Sequence, residues 1–216
     1  MSAGTLLLWR HGQTDYNATA RLQGQVDIAL NEHGRAQAAA AAPFLAQLSL
    51  TRIVASDLMR AAETAQSLAD LVGLDVGTDA RLRERSFGDW EGLTHPEIEA
   101  GWPDAFAAWN AGAHPEGVNA ETRGEVGHRF AEAVLAAAEP LGEHEILVVV
   151  SHGAAISAGI TALIGQDPEV WRGITGIGNC HWSVLRTNDG QRPSWRLSAH
   201  NVGVREADFA VAARIV

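Results

Sequence analysis

Only one cysteine, Cys180, stands in these 216 residues. No disulfide can close within the chain, and a reducing cytoplasm is the compartment that fits. A lone cysteine can still be a nucleophile, but Cys180 falls in a strand-like stretch, residues 179–186, where packing is the commoner role. Long apolar runs are missing as well. Outside an alanine-rich helical stretch the longest is residues 146–150, far short of the roughly 20 needed to span a bilayer, so no membrane partner is expected. Residues 1–8 lack the basic region and extended apolar core of a signal peptide. Lysine is absent and the net charge is −10, which argues against a nucleic-acid binder, whose mark is a basic face. Because charge is screened over about 8–10 Å in physiological salt, a few converging arginines can still hold an anion. The histidines show no close metal-ligand spacing such as HExxH, so no metal or other cofactor is expected. Apolar residues make up 46% and charged residues 19%, an ordinary globular balance.

Residues 5–9 form a short apolar run that ends at Arg10-His11-Gly12, as a buried strand feeding a loop does. Residues 31–48 have helical spacing with Asn31 as cap. Residues 52–55 read as a second strand. Asp57 then stands where it would cap a helix reaching about Val72, with Leu58, Ala61, Ala62, Ala65, Leu68 and Ala69 on one face. Residues 74–76 are a weak third strand. Thr94 and Glu97 have capping-box spacing, and residues 122–138 form an amphipathic helix. Residues 145–150 are the strongest strand, followed by Ser151-His152-Gly153 and an apolar helix to Ile164. Residues 180–186 and 195–199 read as two late strands. This alternation predicts an α/β fold, a mostly parallel central sheet with helices on both faces. Residues 87–118, aromatic and rich in turns, break the rhythm and read as a helical lid insertion. No repeat or linker divides the chain, so residues 1–216 read as one domain. The seven tryptophans form no stripe; most suit core or dimer packing, with Trp90, Trp102 and Trp109 as candidates for the pocket wall.

Two strands end alike, in Trp9-Arg10-His11-Gly12 and Val150-Ser151-His152-Gly153. Ligands of open α/β sheets bind beyond the carboxyl ends of strands, so both histidines are expected in one crevice. Glycine after each permits a sharp turn and close approach to a ligand. Arg10-His11-Gly12 with Thr14 and Asn17 resembles the signature of the histidine phosphatase superfamily, the phosphoglycerate mutase-like fold. The likeness continues in order through Arg21-Leu22-Gln23-Gly24, Ser56-Asp57-Leu58-Met59-Arg60, Leu82-Arg83-Glu84 with Phe87-Gly88 and Trp90-Glu91-Gly92, and Ser151-His152-Gly153.

The resemblance implies catalytic roles for His11 as nucleophile, Glu84 as proton donor, and His152, Arg10 and Arg60 around the phosphoryl group. It implies substrate contacts from Arg10, Asn17, Gln23, Gly24, Arg60 and His152. Neutral imidazole is a good nucleophile near pH 7, and arginine forks suit phosphate oxygens; His152 is expected to be protonated beside the anion. Glu91 competes with Glu84 as the acid. The expected partner is a small phosphorylated metabolite, and the resemblance implies a homodimer. Ser86-Phe87 stand where the mutase branch has a His-Tyr pair, which points to the phosphatase branch. Thr14-Asp15-Tyr16-Asn17, Leu93-Thr94-His95 and Gly178-Asn179 resemble the glucosyl-3-phosphoglycerate phosphatases in particular. Alternatives are an α-ribazole or broad-specificity sugar phosphatase, a phosphoglycerate mutase, and a non-catalytic phospho-ligand binder. Where relatives carry a Gly-Glu-Ser stretch, this chain has Gly117 to Thr122, with Glu121 as a displaced counterpart.

Overall fold

The computed structural model describes residues 2–188 and 190–204. In chain order the elements are β1 (Thr5–Arg10), α1 (Asp15–Ala18), α2 (Glu32–Leu45), β2 (Leu50–Ala55), α3 (Met59–Val72), β3 (Val76–Thr78), α4 (His95–Gly101), α5 (Pro103–Asn110), α6 (Arg123–Ala138), β4 (Ile146–Ser151), α7 (Gly153–Leu163), β5 (Trp182–Thr187) and β6 (Trp195–Val202). They build a six-stranded sheet in the order β3-β2-β4-β1-β5-β6. The first four strands in that order are mutually parallel, and β5 and β6 add an antiparallel edge.

Side chains alternate across a strand with a period of two, and here both faces are covered. Leu6 and Leu8 of β1 join Leu147 and Val149 of β4 in a core with α6 and α7, including Phe130, Val134, Ile156 and Ile160. Leu7, Trp9, Val148 and Val150 face the opposite way, onto Ala38 and Leu45 of α2 and Ala65 and Leu68 of α3. Burial on both sides explains why these strands read as unbroken apolar runs. Each such side chain removed from water contributes about 1.5–3 kcal/mol before entropy is counted.

Several local expectations hold. Asn31 accepts from the Gly34 amide at 2.8 Å, and capping boxes close α4 and α6 through Thr94 with Glu97 and Thr122 with Glu125. Others are corrected. Asp57 does not cap α3: its carboxylate takes both arms of Arg83, and a bidentate guanidinium is a stronger partner than one backbone N–H. Asp27 accepts from the Met59 amide instead, at 2.8 Å. The third strand begins two residues later than its hydrophobicity suggests, because pairing with Ile53–Ala55 sets its register. Cys180 precedes β5 in a turn, at φ 55°.

The stretch 87–118 carries its own small core. Trp90 is fully buried and meets Trp109 and Phe106 edge-on, at ring separations of 5.8 and 6.5 Å. A short antiparallel contact joins it to the loop after α1: Leu22 donates to the Leu93 carbonyl at 2.9 Å and Gly92 to that of Leu22 at 2.7 Å.

The α6–α7 contact yields a stability test. A Cβ on Gly159 would fall within the ring of Phe130, which is fully buried. Alanine in place of a mid-helix glycine usually gains about 1 kcal/mol, whereas overpacking costs about 1–3 kcal/mol. With the ring hemmed in, Gly159→Ala is expected to lose about 1 kcal/mol net. That appears as a lower urea midpoint at unchanged m-value; a midpoint at or above wild type would mean that the ring has room to move.

Candidate active site

β1 and β4 pair in parallel with Arg10 opposite Ser151, so the residue after each strand falls on the same edge of the sheet. His11 and His152 meet there, with ring centroids 5.0 Å apart. The end of β1 is pinned on several sides. The His11 amide donates to the Ser151 carbonyl at 3.0 Å, the Gly12 amide to Thr64 Oγ1 at 3.1 Å, and Asn179 Nδ2 to the His11 carbonyl at 3.0 Å.

Hydrogen bonds fix the tautomer of both rings. His11 Nδ1 lies 2.6 Å from the Gly12 carbonyl oxygen. A carbonyl only accepts, so Nδ1 carries the proton and Nε2 keeps its lone pair. His152 is the reverse: Arg60 Nε donates to its Nδ1 at 3.2 Å, so the neutral ring carries its proton on Nε2. That Nε2 is buried without a partner among the described residues. Burial pushes both histidines well below the usual imidazole range, and the charges of Arg10 and Arg60 push the same way. In the free site His152 is therefore a donor as the neutral ring, whereas the protonation expected from the sequence concerns the ring beside a bound anion.

Arg60 is fully buried and makes no salt bridge with Glu32 or Glu63. It donates to the carbonyls of Val26 and Gly24, each at 2.8 Å, as well as to His152; two of its five N–H groups remain. Burial pulls it down to about 10, still a cation at neutral pH. Arg10 donates to the Ile177 carbonyl at 2.6 Å, and its Nε is a second buried group without a partner. Gly153 makes room for it: a Cβ there would sit 3.4 Å from the guanidinium carbon and Nε.

The loop after β1 supplies neutral donors. Thr14 caps α1 in a box with Asn17, and its hydroxyl lies 2.8 Å from Gln23 Oε1. Asn17 Oδ1 accepts from the Thr14 amide and from Asn179. With both amide oxygens engaged, the NH₂ ends of Asn17 and Gln23 are what these residues can offer to a ligand. Gly24, at φ 51°, adopts a conformation that L side chains rarely do, and a Cβ there would collide with the Glu91 carboxylate. Glu91 accepts from Gln25, Ser86 and Phe87 through one oxygen; it braces the loop.

Glu84 is held against the start of α7. Oε1 accepts from the amides of Arg85 and Ala155, each at 2.8 Å, and Oε2 from that of Ala154 at 3.1 Å. Each oxygen has about two acceptor sites, so Oε2 is the one with a site left. Arg129 donates to the carbonyls of Arg81, Arg83 and Glu84, fixing the loop that carries it.

These groups line a cavity of about 360 Å³, with walls that include Arg10, His11, Asn17, Gln23, Gly24, Arg60 and Glu84. This volume is at the small end of metabolite sites. His152 lies directly behind them. Cys180 is not a wall residue, and burial pushes its thiol up to about 12. Glu121 turns away, paired with Arg129 at 2.7 Å, and from the aromatic segment only Phe87 reaches the cavity, not Trp90, Trp102 or Trp109. Sequence reasoning missed Arg123, Ile174 and Ile177 as wall residues. Arg123 left a signal: a cation in the first turn of a helix opposes the helix dipole. Among the described residues no three His, Cys, Asp or Glu side chains are grouped to hold a metal, and no helix is long and apolar enough to cross a membrane.

Comparison with known proteins agrees with this geometry. The family model for the histidine phosphatase superfamily (branch 1) matches residues 6–202. The chain is 41% identical to glucosyl-3-phosphoglycerate phosphatase of Mycobacterium tuberculosis, over 95% of this chain and 97% of that one. It is 33% identical to phosphoglycerate mutase-like protein 4 of Arabidopsis thaliana, over 87% and 81%. A solved mycobacterial glucosyl-3-phosphoglycerate phosphatase in complex with VO3 superposes with a TM-score of 0.81 at 42% identity, covering 91% of this chain and 98% of that one.

The buried neutral histidines set a pH dependence. Their folded-state pKa values lie below the unfolded value of about 6.5, so below that pH the unfolded chain binds protons that the folded chain does not. Their stability contribution is therefore whole above about pH 6.5 and is lost as pH falls toward the folded pKa, at up to about 1.4 kcal/mol per pH unit for each. Acidic groups such as Asp57, held low by Arg83, lose their contribution at lower pH, so a window of about pH 5–6.5 isolates the histidines. Urea unfolding across that window should show a shallower acid loss in His152→Gln than in wild type. Equal slopes would mean that His152 protonates freely in the folded chain.

Proposed function

The chain belongs to the histidine phosphatase superfamily and is a phosphoric monoester hydrolase, and from that premise we propose that it hydrolyses a small phosphorylated metabolite through a phosphohistidine on His11. The observation that carries this reading is the pair of buried, unpartnered N–H donors, Arg10 Nε and His152 Nε2, beside a histidine whose Nε2 lone pair is free. Leaving a buried donor unmade costs about 1–3 kcal/mol, and a phosphoryl oxygen between those donors would satisfy both.

His11 Nε2 attacks phosphorus while the phosphorus–oxygen bond to the alcohol breaks. Arg10, the remaining N–H groups of Arg60, His152 Nε2 and the amides of Asn17 and Gln23 take up charge on the equatorial oxygens, where such stabilisation matters most in phosphoryl transfer. Glu84 Oε2 gives its proton to the departing alkoxide. Water then attacks phosphohistidine and returns a proton to Glu84, releasing inorganic phosphate and free His11. The clamp is built from arginine and needs no metal. In the same reading, residues 1–216 act as one domain, with 87–118 as an insertion beside the mouth, and the chain works as a cytoplasmic homodimer.

For the substrate we propose glucosyl-3-phosphoglycerate, on the strength of the 41% identical relative that bears that name. A mutase reading has the Arabidopsis relative behind it. Against it stand Ser86-Phe87 at the position of the mutase His-Tyr pair.

Two experiments test the proposal. Rapid quenching with labelled substrate should trap phosphate that is stable to base and lost in acid, and His11→Ala should trap none and turn over nothing; label on any other residue sinks the mechanism. Second, kcat/KM for glucosyl-3-phosphoglycerate should exceed that for α-ribazole phosphate and simple sugar phosphates by at least about a hundredfold, or roughly 2.7 kcal/mol. Similar values across the panel would make the enzyme a broad phosphatase, and efficient interconversion of 2- and 3-phosphoglycerate would move it to the mutases.

A further inference from the structure

Among the described residues the cavity has four arginines in its wall: Arg10, Arg21, Arg60 and Arg123. Arg10 and Arg60 sit with the histidines. Arg21 is already neutralised, 3.0 Å from Glu97 and bonded to the Gly92 carbonyl at 2.7 Å. Arg123 is different. Its one hydrogen bond is from Nε to the Pro168 carbonyl, at 3.2 Å, and among the described residues it makes no ion pair. The terminal nitrogens of its guanidinium are left for whatever enters the cavity.

The surroundings make that cation costly. Arg123 is half-buried and opens α6, where the helix dipole disfavours positive charge. Arg172 donates to the same Pro168 carbonyl at 3.0 Å, which sets a second cation close by. The acid that acts on it, Glu169, is engaged by the Gly124 amide at 2.7 Å, and the Glu125 amide donates to Thr122 Oγ1. Burial and Arg172 both push Arg123 down, with only Glu169 opposing. A half-buried arginine kept without an anionic partner, in the wall of a site for anions, is an arrangement that a bound anion would offset.

We propose that Arg123 forms a second anion subsite, which takes a carboxylate on the alcohol part of the substrate, apart from the phosphoryl clamp. A single planar fork matches a carboxylate in two-point contact. Leu22, Phe87, Ile174 and Ile177, also in the wall, offer apolar surface and could not share the charge of a second phosphate. The inference rests on the phosphatase reading and narrows it to substrates that carry both a phosphate monoester and a carboxylate.

The test compares 3-phosphoglycerate with glycerol 3-phosphate, which differ only in a carboxylate against a hydroxymethyl group. Wild type should favour the carboxylate ester in kcat/KM. Arg123→Gln should cut that ratio by at least about tenfold, the scale of one charged hydrogen bond, and Arg123→Lys should restore part of it. Glycerate, which has the carboxylate and no phosphate, should inhibit wild type competitively and Arg123→Gln more weakly by a similar factor. An unchanged ratio, or equal losses on both esters, overturns the subsite while leaving the phosphatase reading intact. If wild type hydrolyses neither ester nor glucosyl-3-phosphoglycerate and traps no phosphoenzyme, the phosphatase reading fails and the subsite with it.

Discussion

Parallel pairing of β1 with β4 in a single register is the constraint on which the site depends. Trp9 stands opposite Val150 and Arg10 opposite Ser151, and one step further the chain leaves both strands as histidine. A slip of one residue would send Leu7 and Trp9 to the face now held by Leu6 and Leu8. Trp9 would then have to fit among Phe130, Ile156 and Ile160, and the leucines among the alanines of α2 and α3. The core therefore enforces the register, and the register delivers the 5.0 Å approach of the two rings. Packing in the middle of the sheet and chemistry at its edge are one problem solved once.

Electrostatics at that edge follow from how the arginines are neutralised, or rather are not. The net charge is −10, yet Arg10 and Arg60 rest on the backbone carbonyls of Ile177, Val26 and Gly24. Carbonyl dipoles steady a guanidinium without cancelling its charge, whereas a carboxylate partner would cancel it. Burial, together with that uncancelled charge, keeps the histidines unprotonated, so His11 retains its lone pair. The charge also leaves the pocket attractive to an anion. Among the described residues the only carboxylate in the cavity wall, Glu84, is held by backbone amides rather than by those arginines. Acid and clamp can then occupy one small space without forming an ion pair that would disable both.

Much of this was legible because it follows from local rules. The unbroken apolar runs of β1 and β4, the caps at Asn31, Thr94 and Thr122, and glycine after each histidine all act within a few residues. What escaped depends on distant partners. Asp57 looked like a cap until Arg83, 26 positions on, proved the better partner. Glu121 read as the displaced counterpart of the relatives' Gly-Glu-Ser stretch, but Arg129, eight residues on and two helical turns into α6, claims it. Trp90, Trp102 and Trp109 suggested a pocket wall, and apolar area drew Trp90 and Trp109 into the core of their own segment. Arg123 was passed over because a lone arginine in a helix is by default a solvated side chain; only the fold sets it in the wall of the same cavity as His11 and Arg10.

That contrast separates two layers of the site. The phosphoryl clamp hangs on strand ends and on helices packed to the sheet. The acid hangs from the same supports: Ser151 Oγ donates to the Leu82 carbonyl at 2.7 Å, Arg129 of α6 gathers the carbonyls of residues 81, 83 and 84, and α7 holds the carboxylate itself. Any shift of β4 carries His152 and Glu84 together, which preserves the spacing on which the proposed proton transfer depends. The walls beyond the clamp are anchored differently. Leu22 and Phe87 belong to a loop and an insertion whose side chains pack in a core of their own, so they can change without touching β1, β4 or α7. Ile174 and Ile177, between α7 and β5, pack instead against the core of those elements, and the Ile177 carbonyl holds Arg10. Freedom to vary without disturbing the clamp therefore lies with the loop and the insertion, on the side of the cavity that the sheet does not build.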